Sequence, residues 1–297
     1  MGDGTAVGFV GLGNMGVPMA SAVAAGGWRV LGYDSSPAAR GNAAAAGVEI
    51  VDELDDVTAV DTLVVVLPNS DIVEAVLVDG GVIDRMRPGT AIIDMGSSEP
   101  SRTRQLVASA GARDIAFLDA PVSGGVLAAR AATLAIMVGG DPDVVETRRP
   151  LLETMGKVRH VGGPGSGHAL KALNNLMSAA HLVVSSEAIV AGKRFGLDPA
   201  VIIDVVNASS GRSGSTDLKW PRFILPETFD SGFSLRLMVK DAAIALGLID
   251  ATGTPSRASS AIVAAWADAA GDLPADADHT EIARWVESLA TAPPDTD

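Results

Sequence analysis

The chain has 297 residues, 47% of them apolar and 20% charged, and no cysteine. That length suggests two domains with a sizeable core, and the missing thiols exclude disulfides, thiolate zinc sites and a cysteine nucleophile. Lys and Arg number 22 against 36 Asp and Glu, a net charge of −14, which repels nucleic acid and anionic membrane.

Any anionic ligand must therefore be held by backbone N–H groups, helix ends and a few placed cations. Met1 to Val10 has no basic stretch leading into an apolar one, so it does not read as a signal peptide. No apolar run approaches the roughly 18 residues of a membrane span. The expectation is a soluble cytoplasmic protein.

In chain order, Val7–Val10, Arg29–Tyr33, Thr62–Leu67 and Ala91–Asp94 read as buried strands, with shorter candidates at Ile115–Leu118, Leu134–Val138 and Lys157–Val161. Helical stretches lie near Met15–Ala25, Pro37–Ala46, Asp71–Val78 and Ser101–Ala110. Strand–helix alternation predicts right-handed crossovers and a mainly parallel, doubly wound sheet in an α/β Rossmann domain, residues 1–161. The pattern changes at Gly162–Gly167, a glycine-rich joint. From there to residue 297 it is helical. His168 to about Arg194 reads as one helix, long enough to carry the chain between domains. Asp278 with Glu281 three residues on predicts a capping box, and Ile282, Trp285, Val286 and Leu289 form an apolar helical stripe behind it. The tail Thr291–Asp297 is polar, with two prolines, and is expected to fray.

Gly11-Leu12-Gly13-Asn14-Met15-Gly16 follows a strand and opens a helix. Gly11 allows the tight turn, Gly13 lets a diphosphate approach the backbone, and Gly16 lets helix pack on strand. The helix N-terminus supplies donors without cationic side chains. Asp34 ends the next strand, where a carboxylate takes the adenosine ribose hydroxyls and repels a 2′-phosphate. No Arg or Lys follows before Arg40, so the cofactor expected is NAD rather than NADP.

A second constellation opens the long helix. Lys171 and Asn175 are four residues apart and share a face, which Ser178 continues. A partly desolvated lysine can act as a general acid and base. It lies just after the joint between domains, and clefts between domains favour small-molecule sites. Spacing alone leaves a solvated surface lysine equally open.

In their order these blocks resemble the β-hydroxyacid dehydrogenase family, which includes 3-hydroxyisobutyrate dehydrogenase and tartronate semialdehyde reductase. Gly8–Gly16 resembles the family's N-terminal signature, and Val66-Leu67-Pro68 its cofactor-side loop, with Ile72 following. Asp94–Pro100 resembles the loop to the nicotinamide ribose, with Ser97 where Thr is common. Asp119–Gly125 resembles the substrate loop, Gly165–Asn175 the catalytic helix start, and Lys240-Asp241 the pair near the nicotinamide.

The resemblance implies a 6-phosphogluconate-dehydrogenase-like helical C-terminal domain and a homodimer or homotetramer. It implies that Ser123, Gly124 and Gly125 bind the substrate carboxylate and that Asn175 holds carboxylate or hydroxyl. Lys171 would take the hydroxyl proton, and Lys240 would lie near cofactor or substrate. Leu12, Asn14, Met15, Leu67, Pro68, Ile72, Ser97, Lys240 and Asp241 join the glycines and Asp34 around the cofactor. Where the family loop has later glycines, this chain has Ala128 and Ala132. Ser209–Thr216 lacks the aromatic that some relatives carry near Gly214, which predicts a roomier or more polar pocket.

The function expected is NAD-dependent oxidation of a small β-hydroxy acid. Reduction of a small aldehyde acid with NAD(P)H is the alternative, and a non-catalytic cofactor-binding module a more distant one. No metal is expected, because His160, His168, His181 and His279 show no ligand grouping.

Overall fold

The structure is a computed structural model that describes residues 6–291. The tail beyond Thr291 lies outside the described residues. The chain forms two compact units, Met1–Lys171 and Ala172–Asp297.

Among the described residues of the first unit, nine strands form one sheet: β1 (Ala6–Val10), β2 (Arg29–Tyr33), β3 (Glu49–Ile50), β4 (Thr62–Val65), β5 (Ala91–Asp94), β6 (Ala116–Asp119), β7 (Val122–Ser123), β8 (Leu134–Gly139) and β9 (Gly156–Gly162). Their order is β3-β2-β1-β4-β5-β6-β8-β7, with β9 also on β8. Every pairing is parallel except those of β6 and β7 with β8.

The helices α1 (Gly16–Ala25), α2 (Pro37–Ala45), α3 (Ser70–Glu74), α4 (Val82–Arg85), α5 (Pro100–Gly111), α6 (Gly125–Arg130) and α7 (Pro142–Glu153) connect them. Successive strand side chains alternate between faces, and both faces are buried. Val7, Phe9, Val64 and Ile93 pack with Met19 and Val23 of α1 on one side. Val10, Leu63, Val65 and Ile92 pack with Leu77 and Leu106 on the other. This is why the strands read as continuous apolar runs.

The strand expected over Thr62–Leu67 stops at Val65, because the chain turns out of the sheet at Val66-Leu67-Pro68. The helix expected over Asp71–Val78 is α3 followed by a π-helical turn, Ala75–Asp79.

α8 runs unbroken from Ser166 to Phe195, starting in the first unit and continuing into the second. The second unit adds α9 (Pro199–Asn207), a π-helical segment Ser215–Ile224, α10 (Leu235–Ala251), α11 (Arg257–Asp272) and α12 (Ile282–Thr291). Its core holds Leu182, Trp220, Trp266, Ile282 and Trp285. Each indole N–H in this core finds an acceptor: Ser185 Oγ for Trp220, Ala179 O for Trp266 and Asp272 Oδ2 for Trp285. No helix among the described residues is long and apolar enough to cross a membrane.

The capping box at Asp278 and Glu281 is present and opens a short 3₁₀ turn ahead of α12. Asp278 also accepts from Ser231 Oγ, Gly232 N and both donors of Thr280. Burial pushes the Asp278 carboxyl up, but hydrogen bonds from His279, Thr280 and Ser231 outweigh it and hold the group well below the usual carboxylate range. Burial lowers His279, against its bond to Asp278.

Both depressed groups give stability that is present above their unfolded pKa values and lost as pH falls. The helical unit is therefore expected to weaken first below about pH 6.5, as His279 is forced to charge, and further below about pH 4, as Asp278 protonates. Thermal melts followed by tryptophan fluorescence check this. Asp278→Asn should flatten the lower of the two steps.

Candidate functional site

The turn after β1 is built by contact between backbones. Gly11 sits at φ +96°, and a Cβ on Gly16 would stand 1.9 Å from the Gly11 carbonyl oxygen. Only glycine lets α1 begin this close to the strand. Nothing lies within 4 Å of where a Cβ on Gly13 would stand, so the turn is open there to a ligand. Gly13 and Asn14 are exposed, while Leu12 is buried.

Asp34 closes the turn from β2. Its Oδ2 accepts from Leu12 N at 2.8 Å and its Oδ1 from Ser36 N at 2.8 Å. Arg40 is directed at the Asp34 carbonyl, 2.6 Å away. These glycines, the helix start and the carboxylate fit the diphosphate and ribose of a dinucleotide.

Leu67 and Pro68 follow β4, and Asn69 caps α3 by accepting from Ile72 N at 3.0 Å. Ile72 is exposed. Arg102 of α5 holds that helix in place, donating to Glu74 at 2.6 Å and to Asp71. Hydrogen bonds to these two carboxylates raise the guanidinium above its ordinary value.

Ser97 is partly exposed after β5, whereas Ser98 turns inward to Asp94 Oδ2 at 2.9 Å. Ser123 ends β7 opposite Ala135. Gly124 and Gly125 follow at φ +127° and +67°, and Gly125 faces open space. Ala128, at a family glycine position, would meet a Cβ on Gly124 at 2.5 Å. Ala132, at another, keeps the left-handed backbone at φ +53°, which costs a side chain about 1 kcal/mol.

The start of α8 is pinned to the sheet by Asp119. This buried carboxylate at the end of β6 accepts from Gly165 N at 2.8 Å and from His168 N at 2.9 Å. A Cβ on Gly167 would stand 2.3 Å from the Met137 carbonyl and 2.7 Å from that of Asp119, so the helix rests directly on strand backbone. Lys171 follows one turn later and is half-buried.

In the second unit, buried Asn175 donates through Nδ2 to Asp241 Oδ2 at 2.6 Å. Lys240 Nζ lies 3.0 Å from the other oxygen of Asp241. The expected residues Asn175, Lys240 and Asp241 thus form one hydrogen-bonded group. Ser178, further along the helix, accepts from Lys219 Nζ at 2.8 Å. Among the described residues no group of three or more His, Asp or Glu is placed to hold a metal ion.

Comparison with known proteins fits this geometry. Residues 6–163 match the NAD binding domain of 6-phosphogluconate dehydrogenase, and residues 165–286 match the NAD-binding domain of NADP-dependent 3-hydroxyisobutyrate dehydrogenase. The first match alone spans more than half the chain. The chain belongs to the β-hydroxyacid dehydrogenase family.

It is 39% identical over 243 residues to 2-(hydroxymethyl)glutarate dehydrogenase of Eubacterium barkeri, covering 81% of each chain. It is 34% identical over 299 residues to a probable 3-hydroxyisobutyrate dehydrogenase of Mycobacterium tuberculosis, covering 97% of this chain and 100% of the relative. A solved structure of 3-hydroxyisobutyrate dehydrogenase from Mycobacterium tuberculosis with L-serine superposes with a TM-score of 0.88 at 34% identity, covering 95% and 99% of the two chains. This β-hydroxyacid dehydrogenase is an oxidoreductase acting on CH–OH donors and uses a nicotinamide cofactor.

Sequence reasoning on the dehydrogenase missed the residues that hold this site up from behind. Asp119 caps the helix that carries Lys171 from 46 residues away in sequence, and Thr103 reaches His168 from 65. Asp94 receives Gly96 N and Ser98 Oγ, fixing the loop that contains Ser97. The one local signal was an acid ending each of β5 and β6.

Proposed function

We propose that this dehydrogenase oxidises a small β-hydroxy acid of the 3-hydroxyisobutyrate kind with NAD, passing the hydroxyl proton to Lys171. The observation that carries the reading is Asp119 pinning the start of α8, which fixes the turn on which Lys171 stands. In this reading residues 1–161 serve the cofactor and 162–297 serve substrate and assembly, as a homodimer or homotetramer.

Ser123 and the amides of Gly124 and Gly125 take the substrate carboxylate, a task that suits consecutive exposed N–H groups. Asn175, with Asp241 and Lys240 behind it, orients the hydroxyl end. Bound nicotinamide supplies the hydride acceptor for the carbinol carbon. Lys171, as the neutral amine, accepts the hydroxyl proton. In the reverse direction its ammonium returns a proton to the developing alkoxide.

The cofactor contacts are Gly11–Gly16, Asp34, Leu67, Pro68, Ile72, Ser97, Lys240 and Asp241. Asp34 presents a carboxylate where NADP would carry its 2′-phosphate, and the nearby Arg40 is turned to a carbonyl. NAD is therefore the preferred cofactor. Asp34→Ala is expected to lower the NAD-over-NADP ratio of kcat/KM by about 10- to 100-fold, the weight of removing one close like-charge repulsion. Steady-state kinetics with both cofactors decide it, and an unchanged ratio would overturn the role of Asp34.

A screen at 340 nm with both cofactors tests the whole reading. It should offer 3-hydroxyisobutyrate, 2-(hydroxymethyl)glutarate and L-serine, together with glyoxylate and the tartronate and succinic semialdehydes. Efficient NAD-linked oxidation of at least one hydroxy acid is expected. Activity confined to NADPH-linked reduction of the aldehyde acids would overturn it. The enzyme of Eubacterium barkeri is named for a larger, more polar acid than 3-hydroxyisobutyrate. That favours the roomier pocket read from the missing aromatic near Gly214.

A further inference from the structure

His168 is a titratable side chain that the chemistry above leaves unused. It lies on the first turn of α8, three residues before Lys171, and its side chain is wholly buried. Nδ1 is 2.8 Å from Thr103 Oγ1 on α5. Nε2 is also buried, makes no hydrogen bond, and faces Asp94 Oδ2 at 3.7 Å. Asp94 is itself fully buried and holds the following loop through Gly96 N at 2.8 Å and Ser98 Oγ at 2.9 Å.

The donor inventory fixes what the ring presents to Asp94. Thr103 Oγ1 also lies 3.1 Å from the Glu99 carbonyl, which competes with Nδ1 for the one hydroxyl proton. With that proton spent on the carbonyl, Nδ1–H donates to Thr103, and a bare lone pair at Nε2 would confront a buried carboxylate. If the hydroxyl instead donates to Nδ1, the neutral ring carries its proton on Nε2. The first arrangement is repulsive, so the second is preferred, and it places an N–H at Nε2 directed at Asp94. The 3.7 Å separation is longer than a hydrogen bond. The buried N–H is then short of a full partner, an arrangement costly enough to need a reason.

We propose that His168 is a positioning residue that couples the loop after β5, which bears Ser97, to the turn of α8 that bears Lys171. The brace has two arms. Thr103 fixes the ring against α5, and the Nε2–Asp94 contact ties the same ring to the carboxylate that shapes residues 94–98. Moving either the loop or the helix start changes the 3.7 Å contact, so cofactor held by the loop and the proton acceptor on the helix share one support. The inference rests on the roles proposed for Ser97 and Lys171.

The test compares His168→Leu, His168→Gln and wild type in two readouts: affinity for NADH by fluorescence titration, and kcat and KM for the hydroxy acid. His168→Leu fills the space but offers Asp94 no donor. It is expected to weaken NADH binding about 10-fold and to lower kcat about 10- to 100-fold, the scale of a sub-ångström to 1 Å misplacement, with the hydroxy-acid KM within about threefold. His168→Gln keeps an N–H donor and should recover most of both losses, which a merely space-filling role would not require.

Folded His168→Leu with NADH affinity and kcat within about twofold of wild type overturns the proposal, as does a loss that His168→Gln does not restore. If His168→Leu does not fold, Thr103→Val removes the other arm and is read the same way. NADH titration needs no substrate. A wild-type enzyme that binds NADH but oxidises no hydroxy acid would sink the proposed reaction and still leave the brace testable.

Discussion

Alanine at Lys171 is expected to lower kcat by about 10²- to 10⁴-fold, the range that a positioned proton acceptor contributes, while NADH affinity stays within about threefold. The separation of the two effects is the point of the experiment. The glycine turn is held by its own contacts, Gly16 against the Gly11 carbonyl and Leu12 N on Asp34 Oδ2. Arginine should not rescue activity, because a guanidinium stays protonated at any working pH and cannot accept the hydroxyl proton. Pre-steady-state kinetics with saturating cofactor are the cleanest measurement. If Lys171→Ala retains activity within tenfold of wild type, the proton goes elsewhere and the assignment falls.

Asp119→Ala is expected to have the largest effect on stability. Its carboxylate accepts from two N–H groups at the start of α8, and all parties are buried. Hydrogen bonds to a charged acceptor are worth about 1.5–3 kcal/mol each, and buried donors left without a partner carry their own desolvation cost. Together they amount to about 3–6 kcal/mol. For a unit of this size that corresponds to a fall in Tm of about 10–20 °C. Calorimetry should see it in the transition of the first unit, since the two units need not melt together. Water has little room to replace the carboxylate, because a Cβ on Gly139 or Gly167 would already stand within 3 Å of its oxygens. A Tm within about 2 °C of wild type would show that the helix start is held by other contacts.

How much of this could be read from the sequence depends on the range of each interaction. The buried strands were legible because a sheet covered on both faces needs continuous runs such as Leu63–Val65 and Ala91–Ile93. Two strands, Glu49–Ile50 and Val122–Ser123, are two residues long and carry no periodicity. Helix α7 has no place among the expected helices, although Asp141 followed by Pro142 is a helix start and Asp141 does cap it. The glycine turn and its Asp34 were legible because their geometry demands particular residue types at fixed spacing.

Lys171 was different. Its spacing to Asn175 marked a helix face, but the ordered family motifs were needed to give it a role. The supports of that helix were invisible, since Asp94, Thr103 and Asp119 reach the turn from 46 to 74 residues away. No local pattern reports contacts formed only when β5, β6 and α5 have packed.

The unbroken run of α8 from Ser166 to Phe195 has one more consequence. Four residues of helix set Lys171 and Asn175 about 6 Å apart along the axis. That interval is a gauge cut into a single rod by covalent geometry and main-chain hydrogen bonds. In the proposed reading, loops such as Ser123–Gly125 and Ser209–Thr216 can drift in sequence, and the acids admitted can change with them, without recalibrating the gauge. Inheritance of the chemistry is thereby uncoupled from inheritance of the appetite. A lineage built on such a rod can try new hydroxy acids while keeping the same proton transfer.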